Sequence, residues 1–208
     1  MKELNDIFLE KKFKKVAQWI SPNSKVLDIG CNEGKIRAYL KESVYYGVDL
    51  DKQAVKKLNS EGIKAKAVDL NKSEIPFKSV SFDYILLLDV LEHLTDPRKI
   101  ISSLKKSSSL NAKIIISLPN DYHLLNKIRF LFNKPLTEDV FSPTGHLHYF
   151  PIKTGEEFLK SNNLKILDKE YISAAKPRWL PVFIKELLST FFPNNFSRDT
   201  LYLCTFDK

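Results

Sequence analysis

The chain has 208 residues, of which 43% are apolar, 12% aromatic and 28% charged, a composition typical of one globular domain. Its two cysteines, Cys31 and Cys204, lie far apart, which excludes a disulfide framework or a cysteine metal site and indicates a reduced, cytoplasmic location. The formal net charge of +8 suits a nucleic-acid or membrane partner, but the lysines are spread over nearly every predicted surface helix, which favours an ordinary solvated surface.

The first predicted element is an amphipathic helix over residues 3–20, ended by Ser21 and Pro22. Four lysines, at positions 11, 12, 14 and 15, are assigned to its polar face. The sequence is charged from Lys2 onward, and no apolar run approaches the length of a membrane span. We therefore expect one domain over residues 1–208, without a transmembrane segment.

The segment from Val26 to Gly34, VLDIGCNEG, predicts a buried strand, a tight turn and a helix that begins at Lys35. Its pattern, D-x-G-C-N-x-G, differs from the G-x-G-x-x-G of dinucleotide-binding proteins. It resembles motif I of the class I S-adenosylmethionine (SAM) dependent methyltransferases, usually D-x-G-C-G-x-G. Asn32 replaces the second glycine, and asparagine is the residue that best tolerates a left-handed backbone after glycine. Taken alone, these nine residues also suit any strand–turn–helix of an α/β protein.

The second predicted strand, Val44 to Val48, ends at Asp49, about 20 residues beyond the first turn, where a ribose-binding acid is expected. A carboxylate at this place can accept hydrogen bonds from both ribose hydroxyls, whereas the alternative is a loop-end aspartate in solvent. Asp51 is predicted to cap the next helix. The resemblance implies that Asp69, after a third strand over Ile63–Val68, meets the adenine amino group while the backbone N–H of Leu70 reaches a ring nitrogen.

A fourth strand, Phe82 to Leu88, is almost continuously apolar and ends at Asp89, as expected in the middle of a parallel sheet. The segment Ser81–Pro97, SFDYILLLDVLEHLTDP, resembles the methyltransferases grouped as type 11. Its Glu92 and His93 can be interpreted as catalytic or as a capping or packing pair, and the second interpretation is favoured. The two resemblances together imply a SAM site formed by ten residues: Asp28, Gly30, Cys31, Asn32, Gly34, Asp49, Leu50, Asp69, Leu70 and Asp89.

The later elements complete an α/β pattern. Asp96 before Pro97 predicts a helix start, and further strands are predicted at Ala112–Leu118, Leu164–Tyr171 and Thr200–Thr205. Thr154 and Glu157 have the spacing of a capping box. The resemblance implies a Rossmann-like, doubly wound, mostly parallel seven-stranded sheet with helices on both faces, in which the last strand is antiparallel and lies at the edge. Asp49, Asp69 and Asp89 each follow the end of a predicted strand, and Asp28 lies within the first strand near its carboxyl end.

Residues 121–151 interrupt this pattern with an apolar helix and an irregular stretch, and we expect this insertion to form the acceptor pocket. His146 and His148 lie two residues apart and share a face in an extended segment. They suit a metal pair, a general base with a binding residue, or two structural histidines. Metal is the least favoured because no third ligand has suitable spacing. His146 is the candidate catalytic base, and no metal site is predicted.

Residues 174–197 contain many apolar side chains and predict either an amphipathic lid over the pocket or a segment beside a lipid. The lid is favoured because only Lys176, Arg178 and Lys185 supply local positive charge. Peripheral lipid contact therefore stays open as an alternative.

The resemblance implies a SAM-dependent methyltransferase that acts on a small, partly hydrophobic acceptor. The dipeptide Pro119-Asn120 differs from the N/D-P-P-Y sequence of enzymes that methylate amines of bases, so nucleic acid is not the expected partner. The segments GIKAKAVDLN and SLPN also resemble a subgroup that assists methionine biosynthesis, which keeps a non-catalytic SAM-binding partner protein as a second hypothesis. RNA methylation is a third. The oligomeric state and the methylated atom do not follow from the sequence.

Overall fold

A computed structural model describes residues 2–134, 145–173 and 180–207, with side chains from residue 6 onward. Seven strands form one sheet in the order β3-β2-β1-β4-β5-β7-β6. Their bounds are β1 Lys25–Ile29, β2 Val44–Asp49, β3 Lys64–Ala67, β4 Phe82–Leu88, β5 Ser108–Pro119, β6 Leu164–Ser173 and β7 Ser197–Phe206. The chain winds outward from β1 to β3 and then returns to place β4 beside β1, which creates a crevice at the carboxyl ends of these two strands.

The sheet is mostly parallel, and β7 runs antiparallel to both of its neighbours, β5 and β6. The prediction of an antiparallel last strand is confirmed, but its predicted place at the edge is wrong, because β6 is the edge strand and β7 lies inside. The side chains explain this order. Residues 199–204 of β7 are all buried, whereas β6 carries several charged residues, which suit an exposed edge.

Helices cover both faces of the sheet, as predicted. They are α1 Lys2–Gln18, α2 Lys52–Ser60, α3 Pro97–Leu104, α4 Leu124–Leu131, α5 Ile152–Ser161, α6 Val182–Phe191 and α7 Pro193–Phe196. One core contains Leu27 and Ile29 with apolar residues of α3 and α5. The other contains Val26 with residues of α1 and α2. Successive side chains of β1 point to opposite faces of the sheet and so contribute to both cores. Asp28 therefore points to the same face as Val26.

The predicted helix caps were right in two of three places. The carboxylate of Asp51 accepts hydrogen bonds from two backbone N–H groups of α2, and that of Asp96 does the same for α3. The capping box at Thr154 is wrong, because α5 begins at Ile152, whose side chain is buried, and Thr154 lies within the helix. The helix predicted after Lys35 is a short 3-10 turn, Lys35–Tyr39.

The two segments predicted to surround an acceptor are partly described. Residues 135–144 of the insertion and 174–179 of the proposed lid lie outside the described residues. None of the residues of α4 is buried, and in α6 only Ser189 is. Within the described ranges, no helix combines the length and the apolar character needed to cross a bilayer.

A candidate cofactor site at the carboxyl ends of the strands

The turn after β1 has left-handed backbone at three positions, Gly30 (φ 75°), Asn32 (φ 45°) and Gly34 (φ 65°). This confirms the expectation that asparagine can replace the second glycine of the motif. Gly30 has a further constraint, because a Cβ atom there would lie 2.5 Å from Cγ2 of Val90. The N–H groups of Gly30 and Cys31 both donate to the carbonyl of Val48, which ties the turn to the end of β2.

Cys31 points into the protein. Its sulfur lies 2.8 Å from the position that a Cβ atom of Gly47 would occupy, so these two residues pack closely. Burial raises the pKa of the Cys31 thiol well above its ordinary value. Any contact of Cys31 with a cofactor would therefore be made by its backbone rather than by a thiolate.

Asp49 connects the turn to the next helix. Its Oδ2 accepts a 2.6 Å hydrogen bond from the N–H of Asn32, and its Oδ1 accepts one of 2.8 Å from the N–H of Asp51. Each carboxylate oxygen has further acceptor capacity, and the side chain is only partly buried. Asp49 is thus held in place by the backbone and can still accept hydrogen bonds from a ligand.

Asp28 is buried beside Tyr45, whose hydroxyl donates a 2.6 Å hydrogen bond to its Oδ2. Burial raises the pKa of the Asp28 carboxyl to about 7, although the bond from Tyr45 opposes this shift. Its charge therefore changes near neutral pH, and a positively charged ligand group beside it would favour the ionised form.

The raised pKa of Asp28 predicts a pH-dependent cost to folding. In the unfolded chain Asp28 ionises near pH 4, but in the folded protein it does so near pH 7. Wild type should therefore lose stability relative to Asp28→Asn as pH rises from 4 to 7, by at most about 4 kcal/mol. Above pH 7 the difference should level off. Urea unfolding of both proteins across this range measures it, and a difference that does not change with pH would contradict the assignment.

Asp89, at the end of β4, has left-handed backbone (φ 56°) and a side chain held from two sides. Nζ of Lys12 donates to both of its carboxylate oxygens, at 2.5 and 2.6 Å, and the hydroxyl of Ser117 donates at 2.8 Å. Lys12 is fully buried and also contacts Asp199 at 2.5 Å. Burial opposes ionisation of Asp89, but the Lys12 ammonium and the Ser117 hydroxyl outweigh it and lower the pKa of this carboxyl.

The assignment of Lys12 to a solvated helix face was wrong. The sequence holds a signal for this, since Phe8, Lys12 and Val16 are spaced by four and share one face of α1. A lysine on an apolar stripe needs buried carboxylates as partners, and here they come from the ends of β4 and the start of β7.

A cavity of about 380 Å³ lies where these groups meet. Its walls include five of the ten predicted site residues: Asp28, Gly30, Cys31, Asn32 and Asp89. Leu9 and Phe13 of α1 form part of the same lining, so the first helix extends over the turn. The crevice between β1 and β4 is therefore open enough for a ligand.

The other predicted residues lie outside this lining. Asp49 is connected to the cavity lining because its carboxylate accepts a hydrogen bond from the N–H of Asn32. Its backbone carbonyl accepts a hydrogen bond from the N–H of Val68, so the end of β3 lies next to the end of β2. Asp69 is paired with Lys72 at 3.1 Å, and a hydrogen bond from that lysine lowers the pKa of Asp69. The Leu70 side chain is buried in the core, whereas that of Leu50 is 68% exposed.

His146 belongs to a second group of polar residues. Its Nδ1 lies 2.8 Å from Oδ2 of Asp121, and its ring lies 5.1 Å from that of His93 between centroids. The hydrogen bond to Asp121 raises the pKa of His146. His148 does not join this group, because its Nε2 contacts the carbonyl of Leu94 at 2.8 Å.

Glu92 is fully buried, and neither of its carboxylate oxygens has a hydrogen-bond partner among the described residues. The side chain therefore does not cap a helix there. Its backbone carbonyl accepts hydrogen bonds from the N–H groups of Leu147 and His148, which holds the histidine segment against the end of β4. No spacing in the sequence indicated that His146 would meet Asp121, which lies 25 residues before it, or Glu92 and His93, which lie further away in sequence.

Comparison with known proteins identifies the family. The sequence model of the protein family described as methionine biosynthesis protein MetW matches residues 10–204 of this chain. The chain belongs to the MetW family. The matched range contains strands β1 to β6, all but the last two residues of β7, and both groups of polar residues described above.

Relatives of this MetW-family chain include named methyltransferases. It is 30% identical over 103 residues to the ubiquinone biosynthesis O-methyltransferase of Idiomarina loihiensis, a match that covers 46% of this chain and 42% of that protein. It is 28% identical over 128 residues to the tRNA U34 carboxymethyltransferase of Nautilia profundicola, covering 55% and 43%. The chain thus spans less than half the length of these two relatives.

The fold is that of the class I SAM-dependent methyltransferases. A SAM-dependent methyltransferase from Methanosarcina mazei superposes with a TM-score of 0.65 at 18% identity, over 93% of this chain and 97% of that one. SAM is the cofactor that the family and the fold imply, and the cavity fits it: a left-handed turn, a buried carboxyl and a second carboxyl line one crevice at the switch point of the sheet.

Proposed function

We propose that this MetW-family chain transfers a methyl group from SAM to a small, partly hydrophobic acceptor. The observation that carries the proposal is the cavity between the ends of β1 and β4, which brings together Asp28, the motif turn and Asp89 beneath α1. The fold and the named relatives support the same reaction class.

The cofactor is assigned to these residues by chemical type. The turn from Gly30 to Gly34, including Cys31 and Asn32, would pass under the methionine part, with Asp28 and Asp89 beside its charged groups. Asp49, next to Leu50, would hold the ribose hydroxyls, and Asp69 with the N–H of Leu70 would bind adenine. Bound SAM supplies a methyl group already attached to a positively charged sulfur, so the protein needs to add little chemical activation.

What remains for the protein is to position the reactants and exclude water. Leu9 and Phe13 cover the cavity from α1. Lys12 holds this helix in place, because its ammonium connects α1 to Asp89 of the site and to Asp199 of β7. The ion pairs of Lys12 with Asp89 and Asp199 therefore keep α1 in position over the turn.

The acceptor is assigned to the side of His146. Residues 121–151 would form its pocket and residues 174–197 its lid. The exposed apolar side chains of α4 and α6, among them Ile128, Phe130 and Phe183, support a hydrophobic acceptor. If the acceptor is a weakly acidic hydroxyl, His146 would accept its proton, with Asp121 orienting the ring and stabilising the charge.

A second candidate is a SAM-binding partner protein of methionine biosynthesis that catalyses no transfer. The family's description supports the link to methionine biosynthesis. RNA methylation is a third, supported by the relative named for tRNA. The three candidates differ in turnover and in the chemical nature of the acceptor.

Turnover separates the candidates. Purified protein is incubated with SAM and a small-molecule extract, and S-adenosylhomocysteine is measured by mass spectrometry. We expect product with the extract and far less product with Asp49→Ala at the same SAM concentration. Tight SAM binding without product would favour the partner protein. Product that appears only with RNA, lost after ribonuclease treatment and weakened steeply by salt, would favour RNA methylation.

A further inference from the structure

Three side chains outside the cofactor cavity converge on one point. Glu92 and His93 come from the 3-10 turn Leu91–His93 after β4, and His146 comes from the segment that this turn binds through its backbone. One potential metal-ligating atom from each of the three lies within 4.8 Å of the other two. The group therefore joins two parts of the chain that are distant in sequence.

The hydrogen bonds of the two histidines fix which ring nitrogen is free. Nδ1 of His146 contacts the Asp121 carboxylate at 2.8 Å, and Nδ1 of His93 contacts the carbonyl of Gly145 at 3.3 Å. A carbonyl can only accept a hydrogen bond, and so can an ionised carboxylate, so each Nδ1 carries the proton. In the neutral form of each ring, Nε2 then keeps a lone pair, which is the form of imidazole that binds a metal.

Glu92 supplies the independent observation. Its carboxyl is fully buried, and both oxygens lack a hydrogen-bond partner among the described residues, although a buried carboxyl without such a partner is costly. A cation placed against this carboxyl would satisfy both oxygens and keep it ionised.

We propose that Glu92, His93 and His146 form a binding site for a divalent transition-metal ion. The ligands are the carboxylate of Glu92 and the Nε2 atoms of the two histidines. Two imidazoles and one carboxylate suit Zn²⁺, Co²⁺ or Fe²⁺, whereas Mg²⁺ prefers oxygen ligands. Three protein ligands leave at least one position open, as in catalytic rather than structural sites.

The three ligand atoms lie at most 4.8 Å apart, so the side chains must close in by up to about 1.5 Å to bind one ion. Oε1 of Glu92 lies 4.0 Å from Nε2 of His93. Metal–ligand bonds of about 2.0–2.2 Å place tetrahedral ligands about 3.3–3.5 Å apart, so these two atoms need to approach by well under 1 Å. Asp121 holds His146 as carboxylates hold metal-ligating histidines in many sites, orienting the ring and raising its basicity.

The position of the site suggests its use, and this part rests on the proposed function. Glu92 lies three residues after Asp89, which lines the cofactor cavity, in the turn that follows β4. The ion would thus lie beside the cofactor cavity, with its open position available to an oxygen of the acceptor. Bound in this way, a hydroxyl would have a lower pKa and would release its proton to solvent water before its oxygen attacks the methyl group of SAM, with S-adenosylhomocysteine as the leaving group. The ion would thus take over the activating role that is otherwise proposed for His146.

Cobalt is a suitable probe because its visible d–d absorption reports on the ligands directly. The full chain is prepared without a polyhistidine tag, treated with a chelator and titrated with Co²⁺. We expect saturable visible bands with wild type and their loss with His93→Ala, His146→Ala or Glu92→Gln. His148→Ala is the matched control and should keep them, because the His148 ring contacts the Leu94 carbonyl outside the group.

Asp121→Asn provides a finer test. It should leave the bands in place and weaken Co²⁺ binding by about 10-fold to 100-fold, as expected for loss of a charged partner behind a ligand. Thermal unfolding without metal checks that each variant is folded. If Glu92→Gln does not fold, the two histidine variants still test the site. The rings of His93 and His146 are partly exposed, so we expect their replacement by alanine to leave the protein folded.

Absence of saturable bands in wild type would overturn the site, and so would bands that survive both His93→Ala and His146→Ala. SAM affinity is measured on the same samples. Protein that binds Co²⁺ but not SAM would keep the metal site and contradict the proposed function. Protein that binds SAM but not Co²⁺ would contradict the metal site and leave the proposed function standing.

Discussion

Replacing Lys12 with methionine is expected to lower the free energy of unfolding by about 3–5 kcal/mol, the usual cost of removing one partner of a buried ion pair. The variant would leave the carboxylates of Asp89 and Asp199 close together without the ammonium between them. Burial already raises the pKa of Asp199 to about 7 despite Lys12, so the charge of this carboxyl is poorly tolerated. Urea unfolding measured at pH 8, where both carboxyls are ionised, gives the largest effect.

Lys14→Met is the control for the Lys12 variant. Lys14 lies on the same helix but is exposed and pairs with Glu10 at its surface, so its loss should leave stability essentially unchanged. Adding Asp199→Asn to Lys12→Met should recover part of the lost stability, because one unpaired charge is removed. A Lys12→Met protein as stable as wild type would show that the buried pair does not anchor α1.

Asp49→Ala is expected to weaken SAM binding by about 100-fold or more. Two hydrogen bonds from ribose hydroxyls to a carboxylate contribute about 3 kcal/mol together, and this corresponds to more than two orders of magnitude in the dissociation constant. The variant also loses the bonds from the N–H groups of Asn32 and Asp51, so its stability should fall by about 1 kcal/mol. Calorimetric titration with SAM measures the affinity.

Asp51→Ala separates these two effects. It removes the cap of α2 and should also cost about 1 kcal/mol of stability, from a position only two residues away. Its affinity for SAM should stay within about twofold of wild type. Equal SAM affinity in Asp49→Ala and wild type would contradict the ribose assignment, whatever the stabilities.

Much of the fold follows from local sequence. Continuous apolar runs predicted the central strands, whereas the doubly wound order of the sheet was implied by the resemblance to the SAM-dependent methyltransferases. Asp51 and Asp96 could be recognised as caps because N-capping depends on residues within one helical turn. Asn32 could be accepted in the turn for the same reason, since its backbone preference is intrinsic.

The errors arose where distant contacts decide the outcome. The place of β7 depends on which strands pair, although its unbroken apolar run and the charges of β6 pointed to an interior strand. The capping box predicted at Thr154 does not form, because burial of the Ile152 side chain makes α5 begin two residues earlier. Lys12 was placed in solvent because its two carboxylates come from positions 89 and 199.

The candidate sites divide in the same way. The motif turn is contiguous in sequence, so its place at the carboxyl end of β1 could be predicted. The group around Glu92 could not, because it forms only when the segment containing His146 binds the turn after β4. Of the two histidines that the sequence places two residues apart, only His146 lies beside the buried Glu92 carboxyl and His93 in the folded chain.

The central claim is that a SAM-type nucleoside binds across the carboxyl edge of the sheet, and a crystal structure with S-adenosylhomocysteine tests it most directly. We expect the methionine part over the turn from Gly30 to Gly34, the ribose hydroxyls at the carboxylate of Asp49 and adenine beside Asp69. A ligand bound elsewhere, or a crevice that stays closed at saturating ligand while the protein is folded, would contradict the account.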